Sequence, residues 1–369
     1  MVDSSFLEKL KKIALKIPIF SGKPSQMVGV DIGMFSTKVV QLRYESGRAV
    51  LETYGELLNG SYLKEGVGIK GGFLQYQEDE IVALLKDILR ESHVTSKDVV
   101  ISIPAASSFI VTFSLPNLPK SEVAKAVPYE ARKYIPVPIK DIILDWDVIE
   151  SGKENGGMDV LLVAVPKEVV EKIKRVSEKA GLTLRSMEIE SFSMIRALMA
   201  NDLAPTAIVN VGYQSTVLVI VDQGQLRVSD TIMRGSHEWT RAIMKGLSIS
   251  SERAEEIKKE IGLGKKVEDK EISNIVSSLA DALFLEIERM FSFYHRKTSR
   301  RVQKINLTGG GSNLKGLVEE VASRFEIEVG RSNPFSKIVA PAFMQPVLRE
   351  IGPGFTVAVG LALRELSNT

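Results

Sequence analysis

The sequence contains no cysteine among its 369 residues. This absence excludes disulfide bonds, thiolate zinc sites and cysteine nucleophiles. Histidine occurs only 3 times, and His93, His237 and His295 are too far apart in sequence to show the spacing of a metal-binding motif. A chain without cysteine fits a reducing compartment, so we expect a cytoplasmic protein.

Long apolar runs, a strong net charge and a P-loop are also missing. Apolar stretches such as Val217 to Val221 have the length of a strand, well below the roughly 20 residues that span a bilayer. A net charge of +2 is too small to produce a positive electrostatic field that attracts polyanions, and we therefore expect no nucleic-acid partner. No G-x-x-x-x-G-K-[ST] motif occurs, which argues against a P-loop ATPase.

Residues 1–25 differ from the rest of the chain. Their pattern predicts a basic amphipathic helix over residues 3–20, followed by a short linker. Apolar residues recur there at helical spacing among lysines, before a proline: Phe6, Leu10, Ile13, Ile17 and Pro18. Such a helix either lies on an anionic membrane or a partner protein, or packs on its own protein. The pattern leaves both possibilities open.

From residue 26 onward, predicted strands and helices alternate, which indicates an α/β protein. The predicted elements include a hairpin turn over residues 151–157, the strands Ile142 to Ile149 and Thr206 to Val211, and a helix from Glu78 to Ser92 with an apolar face of Ile81, Leu84, Leu85, Ile88 and Leu89. We predict a domain I over residues 26–205, with an inserted α+β module at about 105–183, and a domain II over residues 206–369. The last helix, 354–366, is predicted to pack back toward domain I. Pro128 lies inside the first helix of the module, where we expect it to kink or break the helix.

One motif occurs twice, as DIGMFST in residues 31–37 and NVGYQST in residues 210–216, each between two apolar strands. Glycine at such a turn lets backbone N–H groups approach a phosphate closely, and serine or threonine hydroxyls can donate further hydrogen bonds. An acid before the glycine can hold hydrated Mg²⁺. Two such loops facing each other would clamp a polyphosphate. The candidate residues are Asp31, Gly33, Ser36, Thr37, Lys38, Asn210, Gly212, Ser215 and Thr216.

A third glycine cluster lies between a predicted strand and a helix, and consists of Gly309, Gly310, Gly311 and Ser312. This arrangement suits the base, ribose or α-phosphate of a nucleotide. Any one of the three loops is more often an ordinary turn, but their order and strand context together favour a nucleotide site. Residues 66–71 also spell GxGxxG. They follow no apolar strand, so we interpret them as a plain loop.

The three loops together resemble the actin, Hsp70 and sugar-kinase superfamily, in which ATP lies between two halves of related topology. The resemblance narrows to the PilM family of type IV pilus assembly proteins and covers nearly all of the chain after Met27. It implies an actin-like (RNase H-like) two-domain fold with an FtsA-like inserted subdomain. The segments that carry it include Ile103-Pro104-Ala105, Tyr134-Ile135-Pro136-Val137-Pro138, Val165-Pro166-Lys167-Glu168, Glu190-Ser191-Phe192 and Asn333-Pro334-Phe335.

The resemblance implies ATP and Mg²⁺ as ligands, with Asp31 and Asn210 nearest the metal and the third glycine cluster along the adenosine. It also implies that Glu255 and Lys258 reach the ribose or base, although such a pair is more often a solvated ion pair. Glu190 stands where this superfamily often places an acid that orients the attacking water. The alternative is a carboxylate favoured at the start of a helix.

Two residues depart from the superfamily pattern. Asn210 stands where aspartate is usual, which removes a negative charge near the metal, and Met34 stands where a small hydroxyl residue is common, which removes a phosphate contact. We therefore expect ATP binding with weak or no ATPase activity. Whether ATP is hydrolysed at all stays open at this point.

The family resemblance implies a cytoplasmic scaffold or switch, peripheral to the inner membrane, within the pilus assembly machinery. Its implied partner is the N-terminal cytoplasmic peptide of a PilN-like inner-membrane protein, bound in a groove beside the inserted module. Further implied partners are other assembly components, including an assembly ATPase. Peripheral contact of residues 3–20 with the membrane is one of the possibilities that the amphipathic pattern leaves open. The alternatives are an FtsA-like membrane-associated filament protein and a small-molecule kinase of the same superfamily.

Overall fold

A computed structural model describes residues 25–63, 73–149, 157–200, 202–264, 266 and 269–366. The N-terminal amphipathic segment, the loop 66–71 and nearly all of the predicted turn 151–157 lie outside these residues. The chain forms two compact units. The first comprises Met1–Asn201, Pro334–Arg349 and Phe355–Thr369, and the second comprises Asp202–Asn333 and Glu350–Gly354.

Residues 334–349 belong to the first unit, whereas the sequence placed them in the second domain. The reason is a strand-like pairing at one edge of the first sheet. The Val339 N–H donates to the Ala49 carbonyl at 2.8 Å, and the Leu51 N–H donates to the Val339 carbonyl at 2.8 Å. In addition, the Phe335 ring lies 6.2 Å from that of Tyr54, centroid to centroid. These contacts join residues that are distant in sequence.

The first unit is built on the strands β1 (Gln26–Ile32), β2 (Ser36–Glu45), β3 (Arg48–Leu58), β4 (Asp98–Ile103) and β8 (Thr183–Ile189). They form one sheet in the order β3-β2-β1-β4-β8. The first three strands are antiparallel, while β4 and β8 run parallel to β1. Val39 and Val40, consecutive residues whose side chains point to opposite faces, are both completely buried, which fits a sheet covered on both faces.

Four helices accompany this sheet in the described residues: α1 (Glu78–Glu91), α3 (Lys167–Lys179), α4 (Glu190–Leu198) and α9 (Gln345–Leu366). Helix α1 buries the predicted apolar face and begins with a capping box of Gln77 and Glu80, which satisfies two of its first N–H groups. Helix α9 begins nine residues before the predicted start at 354.

Helix α9 contains an apolar window long enough to cross a membrane, the one such window in the described residues, but 67% of it is buried inside the protein. Its backbone packs directly on β1. A Cβ atom at Gly29 would lie 2.0 Å from the Ala358 carbonyl oxygen, so only glycine permits this approach. The segment Phe355–Leu366 is therefore a core helix of the first unit.

Between β4 and β8 the chain forms an inserted module made of β5 (Phe109–Pro116), α2 (Lys120–Ala131), β6 (Ile142–Ile149) and β7 (Gly157–Pro166). The antiparallel order is β5-β7-β6, and one face packs on Val123 and Val127 of α2. The predicted break at Pro128 does not occur, because α2 continues to Ala131. Pro128 lies in the last turn, where one missing N–H removes only one helical hydrogen bond.

The second unit repeats the topology of the first. Its strands are β9 (Thr206–Val211), β10 (Thr216–Asp222), β11 (Gln225–Ile232), β12 (Lys304–Thr308) and β13 (Glu328–Arg331), in the order β11-β10-β9-β12-β13. Again three antiparallel strands are extended by two parallel ones. The accompanying helices are α5 (Ser236–Leu247), α6 (Ser251–Ile261), α7 (Lys270–Thr298) and α8 (Leu317–Phe325). Phe284 and Ile287 of α7 anchor the core.

Candidate functional site

The repeated motifs form two hairpin turns of the same geometry, between β1 and β2 and between β9 and β10. The Gly33 N–H donates to the Ser36 carbonyl at 3.2 Å, and the Gly212 N–H donates to the Ser215 carbonyl at 3.0 Å. A Cβ atom would lie 2.8 Å from that carbonyl oxygen at Gly33 and 2.7 Å at Gly212. Both turns therefore require glycine and expose bare backbone, as close approach of a phosphate demands.

A row of polar residues crosses the first sheet beside its glycine turn. Lys38 of β2 pairs in register with Asp31 of β1 and with Glu56 of β3. Ser102 of β4 donates a hydrogen bond to Asp31 Oδ1 at 3.0 Å, and Lys38 Nζ lies 2.6 Å from Ser36 Oγ. The structure thus brings the predicted Asp31, Ser36 and Lys38 together and adds two residues, Glu56 and Ser102, that the sequence did not reveal.

The threonine of each motif faces the opposite side of its turn. Thr37 is completely buried, and its hydroxyl donates to Asn59 Oδ1 at 2.9 Å, while Asn59 Nδ2 donates to the Gly33 carbonyl at 2.7 Å. Thr216 is equally buried, and its hydroxyl donates to the Arg234 carbonyl at 2.8 Å. Both hydroxyls are thus bonded within the protein and stabilise the turns. Either threonine would therefore bind a phosphate through its backbone N–H rather than its side chain.

Two acids lie at the carboxyl ends of the parallel strands of the first unit. Glu190 begins α4 directly after β8, and its Oε1 accepts a hydrogen bond from the Ala105 N–H at 2.6 Å. Burial raises the pKa of Glu190 to about 7, and the charge of Asp31 adds to this rise. Burial also raises the pKa of Asp31, against the opposing effects of Lys38 and Ser102. A carboxyl group with a pKa near neutrality has the property that a general base needs.

The described residues contain no cluster of three or more histidine, aspartate or glutamate side chains arranged around a metal position. Mg²⁺ does not require such a cluster, because it keeps several water ligands and binds through one or two carboxylates together with substrate phosphates. Asp31, beside the glycine turn, fits this mode of binding. Asn210, at the matching position of the second unit, offers only a neutral amide.

Helix α5 joins the second glycine turn to the third glycine cluster. The Ser236 N–H at its start donates to the Gly212 carbonyl at 2.9 Å. A Cβ atom at Gly311 would lie 3.1 Å from Ser236 Cβ, and one at Gly309, where φ is +82°, would lie 2.3 Å from Asn210 Oδ1. Glycine is therefore required at both positions, and these residues form one continuous surface of the second unit.

Gly310 and Ser312 complete this surface in different ways. A Cβ atom at Gly310 would meet no atom within 4 Å, so the backbone there faces open space. Ser312 is buried, and its hydroxyl donates to the Gly309 carbonyl at 2.7 Å. Its side chain therefore shapes the loop from within.

Glu255 and Lys258 of α6 form a hydrogen-bonded trio with Thr240 of α5, in which Lys258 and Thr240 are buried and Glu255 is partly exposed. Lys258 Nζ lies 2.6 Å from Glu255 Oε2, and the Thr240 hydroxyl donates to the same oxygen at 2.7 Å. Only 7% of Lys258 is exposed, so this is not the solvated ion pair that the sequence also allowed. Burial opposes ionisation of Glu255, but the hydrogen bond and charge of Lys258, together with the Thr240 hydrogen bond and the charge of Lys259, outweigh it and lower the pKa of Glu255. Thr240 lies one turn beyond Ser236, so the trio extends the same surface.

Both units therefore carry a glycine turn between their first two strands, on sheets of the same topology, and the first unit carries an inserted three-stranded module. This architecture is that of an actin-like protein with an FtsA-like inserted subdomain. At the level of family the assignment is equally direct. The chain belongs to the family described as type IV pilus assembly protein PilM, which matches residues 29–366.

The similar proteins confirm the predicted fold class and family. The chain resembles the solved PilM-PilN type IV pilus biogenesis complex with a TM-score of 0.78 and 22% identity, over 94% of this chain and 99% of that chain. It resembles MreB5 of Spiroplasma citri bound to AMPPNP with a TM-score of 0.53 and 14% identity, over 94% and 97% of the two chains. The cell division protein FtsA of Enterococcus hirae is 21% identical over 355 residues, which are 83% of this chain and 78% of the relative.

Proposed function

We propose that this protein is an ATP-binding scaffold or switch of the type IV pilus assembly machinery, located in the cytoplasm at the inner membrane. The observation that carries the proposal is the pair of matching glycine turns. Gly33 and Gly212 close the same hydrogen-bonded turn at the same point of two related sheets. Fold similarity alone does not imply a ligand, but two bare-backbone turns of this kind are the chemistry that a polyphosphate requires.

The proposed roles follow from the chemistry of each unit. In the first, the Gly33 turn and Lys38 would hold phosphate oxygens, and Asp31 would accept a hydrogen bond from a Mg²⁺-bound water. In the second, the Gly212 turn would hold phosphate, while Gly309–Gly311 and the trio around Lys258 would accommodate the adenosine. Bound Mg²⁺ would supply charge neutralisation for the phosphates. Glu190 is the residue proposed to orient or deprotonate water.

Slow turnover is part of the proposal. Asn210 offers no negative charge at the second loop, and the Met34 thioether accepts a hydrogen bond from the Tyr76 hydroxyl at 3.9 Å instead of presenting a hydroxyl to phosphate. Binding without rapid hydrolysis suits a switch, whose state depends on whether nucleotide is bound.

Titration with ATP in Mg²⁺ tests nucleotide binding. We expect the double variant Asp31→Ala, Lys38→Ala to bind at least tenfold more weakly than the wild type, because it loses the cation and the acid of the first loop. Lys86→Ala, which removes an exposed lysine of α1, should bind like the wild type. Equal ATP affinity of the double variant and the wild type would show that the first loop does not take part in nucleotide binding. Absence of ATP binding by the wild type would contradict the proposed function.

The inserted module provides the proposed partner site. A pocket is lined by Arg132, Ile135, Pro136, Val137, Pro138, Ile139 and Lys140. Apolar side chains between two basic residues suit an extended peptide that carries apolar anchors. We propose that this pocket takes part in binding the N-terminal cytoplasmic peptide of a PilN-like membrane protein. The similar solved structure is a complex of that kind. An assembly ATPase and the membrane itself, through residues 3–20 outside the described part, are further proposed partners.

Binding of such a peptide can be measured with and without saturating ATP. Val137→Ala should weaken peptide binding several-fold, because it trims the pocket, whereas Val148→Ala, at an exposed position of β6 outside the pocket, should not. If the protein is a switch, ATP must change the peptide affinity by the same factor as the peptide changes the ATP affinity. Identical peptide affinity with and without ATP would show that the protein acts as a scaffold and not as a switch.

A further inference from the structure

The cation of the first glycine turn already has an anionic partner. Lys38 Nζ lies 3.2 Å from Glu56 Oε1. The Ser36 hydroxyl donates to the same oxygen at 2.6 Å. Ser36 and Lys38 are two residues apart on β2, and Glu56 is the cross-strand neighbour of Lys38, so all three side chains lie on one face of the sheet. Glu56 Oε1 therefore contacts both the Lys38 ammonium group and the Ser36 hydroxyl, which are two donors that a phosphate oxygen would use.

The charges at this position do not favour an additional anion. Lys38 lies in register between two acids, Asp31 and Glu56, so a single ammonium group faces two carboxyl groups. A triphosphate placed at the turn would bring further negative charge next to Glu56. Like charges at such short distances repel strongly unless one of them moves away. Binding of phosphate to Lys38 and Ser36 therefore requires the carboxylate of Glu56 to leave.

The exposures of the two partners show which one can move. The side chain of Lys38 is 14% exposed, whereas that of Glu56 is 42% exposed. Lys38 is thus enclosed by its surroundings, while Glu56 lies next to water, in which the charge of a displaced carboxylate would be well solvated. The contacts of Asp31 are different, because Ser102 donates to it from the neighbouring strand and keeps it in place. The row therefore contains one acid that is bonded from the neighbouring strand and one acid whose side chain is largely open to water.

We propose that Glu56 is a resident competitor for phosphate: its carboxylate holds Lys38 and Ser36 in the absence of nucleotide and is displaced when a triphosphate binds. This inference rests on the proposed function, since it concerns the affinity of the same site. Glu56 lowers the affinity for nucleotide, because a phosphate must first displace its carboxylate from Lys38 and Ser36. The nucleotide-free state is thereby stabilised, so a higher nucleotide concentration is needed to convert the protein to its nucleotide-bound state.

The test is a titration of the full-length protein with ATP and with inorganic triphosphate, in the presence and absence of Mg²⁺. Glu56→Gln keeps the shape of the side chain but removes its charge. We expect this variant to bind both ligands about three- to tenfold more tightly than the wild type. The matched control is Glu52→Gln, which removes the same charge from the same strand at a residue bonded to Gln26, Gln41 and Arg43. It should bind like the wild type.

Each other outcome has a distinct meaning. If the wild type binds ATP and Glu56→Gln binds equally well or more weakly under both conditions, Glu56 is only a brace and the inference is wrong. If Glu56→Gln binds more weakly only in Mg²⁺, Glu56 contacts the metal, and the inference is again wrong. Equal tightening by Glu56→Gln and Glu52→Gln would indicate a general charge effect and would also overturn it. Absence of binding by the wild type and both variants would overturn the proposed function and this inference with it.

Discussion

Replacing Glu188 with alanine is expected to lower the free energy of unfolding by about 3–5 kcal/mol, because it removes the carboxylate that the buried guanidinium groups of Arg196 and Arg364 share. The side chain of Glu188 is 0% exposed, and those of Arg196 and Arg364 are 2% and 4% exposed. Arg196 donates to both carboxylate oxygens, with one bond of 2.7 Å, and Arg364 donates to Oε1 at 2.5 Å. The network ties α4 and α9 to the end of β8.

Denaturant unfolding monitored by circular dichroism measures this effect. The matched control is Glu365→Ala, because Glu365 contacts the same Arg364 at 3.3 Å but its side chain is 27% exposed; we expect a loss below about 1 kcal/mol. Burial opposes the charge of Glu188, yet the two arginines outweigh it and lower its pKa. The stabilisation is therefore present above the ordinary pKa of a glutamate and is lost as the pH falls through the lowered value. A loss for Glu188→Ala no larger than that of the control would refute this account.

The sequence predicted those parts of the fold that depend on local patterns. The strands Ile142–Ile149 and Thr206–Val211 have the predicted bounds, and α1 buries the predicted apolar face. These elements show a strong period or an unbroken apolar run, which is the most reliable signal in a sequence. The strands β3 and β11 were not predicted, because their residues are only partly apolar and depend on pairing with a neighbouring strand for their conformation.

The same limit applies to the candidate site. The glycine turns could be found because a repeated motif is visible in the sequence itself. Glu56 and Ser102 could not, since their places beside Lys38 and Asp31 are set by cross-strand register, which no local pattern reveals. The inward orientation of Thr37 follows from strand alternation once the register is known. The one available signal for Ser102 was a hydroxyl residue near the end of an otherwise apolar strand.

Removing the charge of Glu190 is expected to stabilise the fold, whereas removing that of Glu188 destabilises it. The change Glu190→Gln should raise the free energy of unfolding at pH 8 by about 3 kcal/mol, because each unit of pKa shift corresponds to about 1.4 kcal/mol. Burial, with a further contribution from Asp31, raises the pKa of Glu190 from 4.5 to about 7. The folded protein therefore disfavours the ionised carboxylate, and this destabilisation is complete above the folded-state value. Glutamine keeps an acceptor for the Ala105 N–H without carrying the charge.

Stability curves of the wild type and Glu190→Gln at pH 5 and pH 8 test the sign of this effect. Between the unfolded and folded pKa values the destabilisation grows as the pH rises, so the gain from Glu190→Gln must be much larger at pH 8 than at pH 5. Glu188→Gln serves as the contrasting control and should lose stability at pH 8. A gain for Glu190→Gln that does not change with pH would show that its pKa is not raised. A buried acid that destabilises its own fold when ionised needs another reason to be there, and water activation at the nucleotide site is the role that its position beside Asp31 supports.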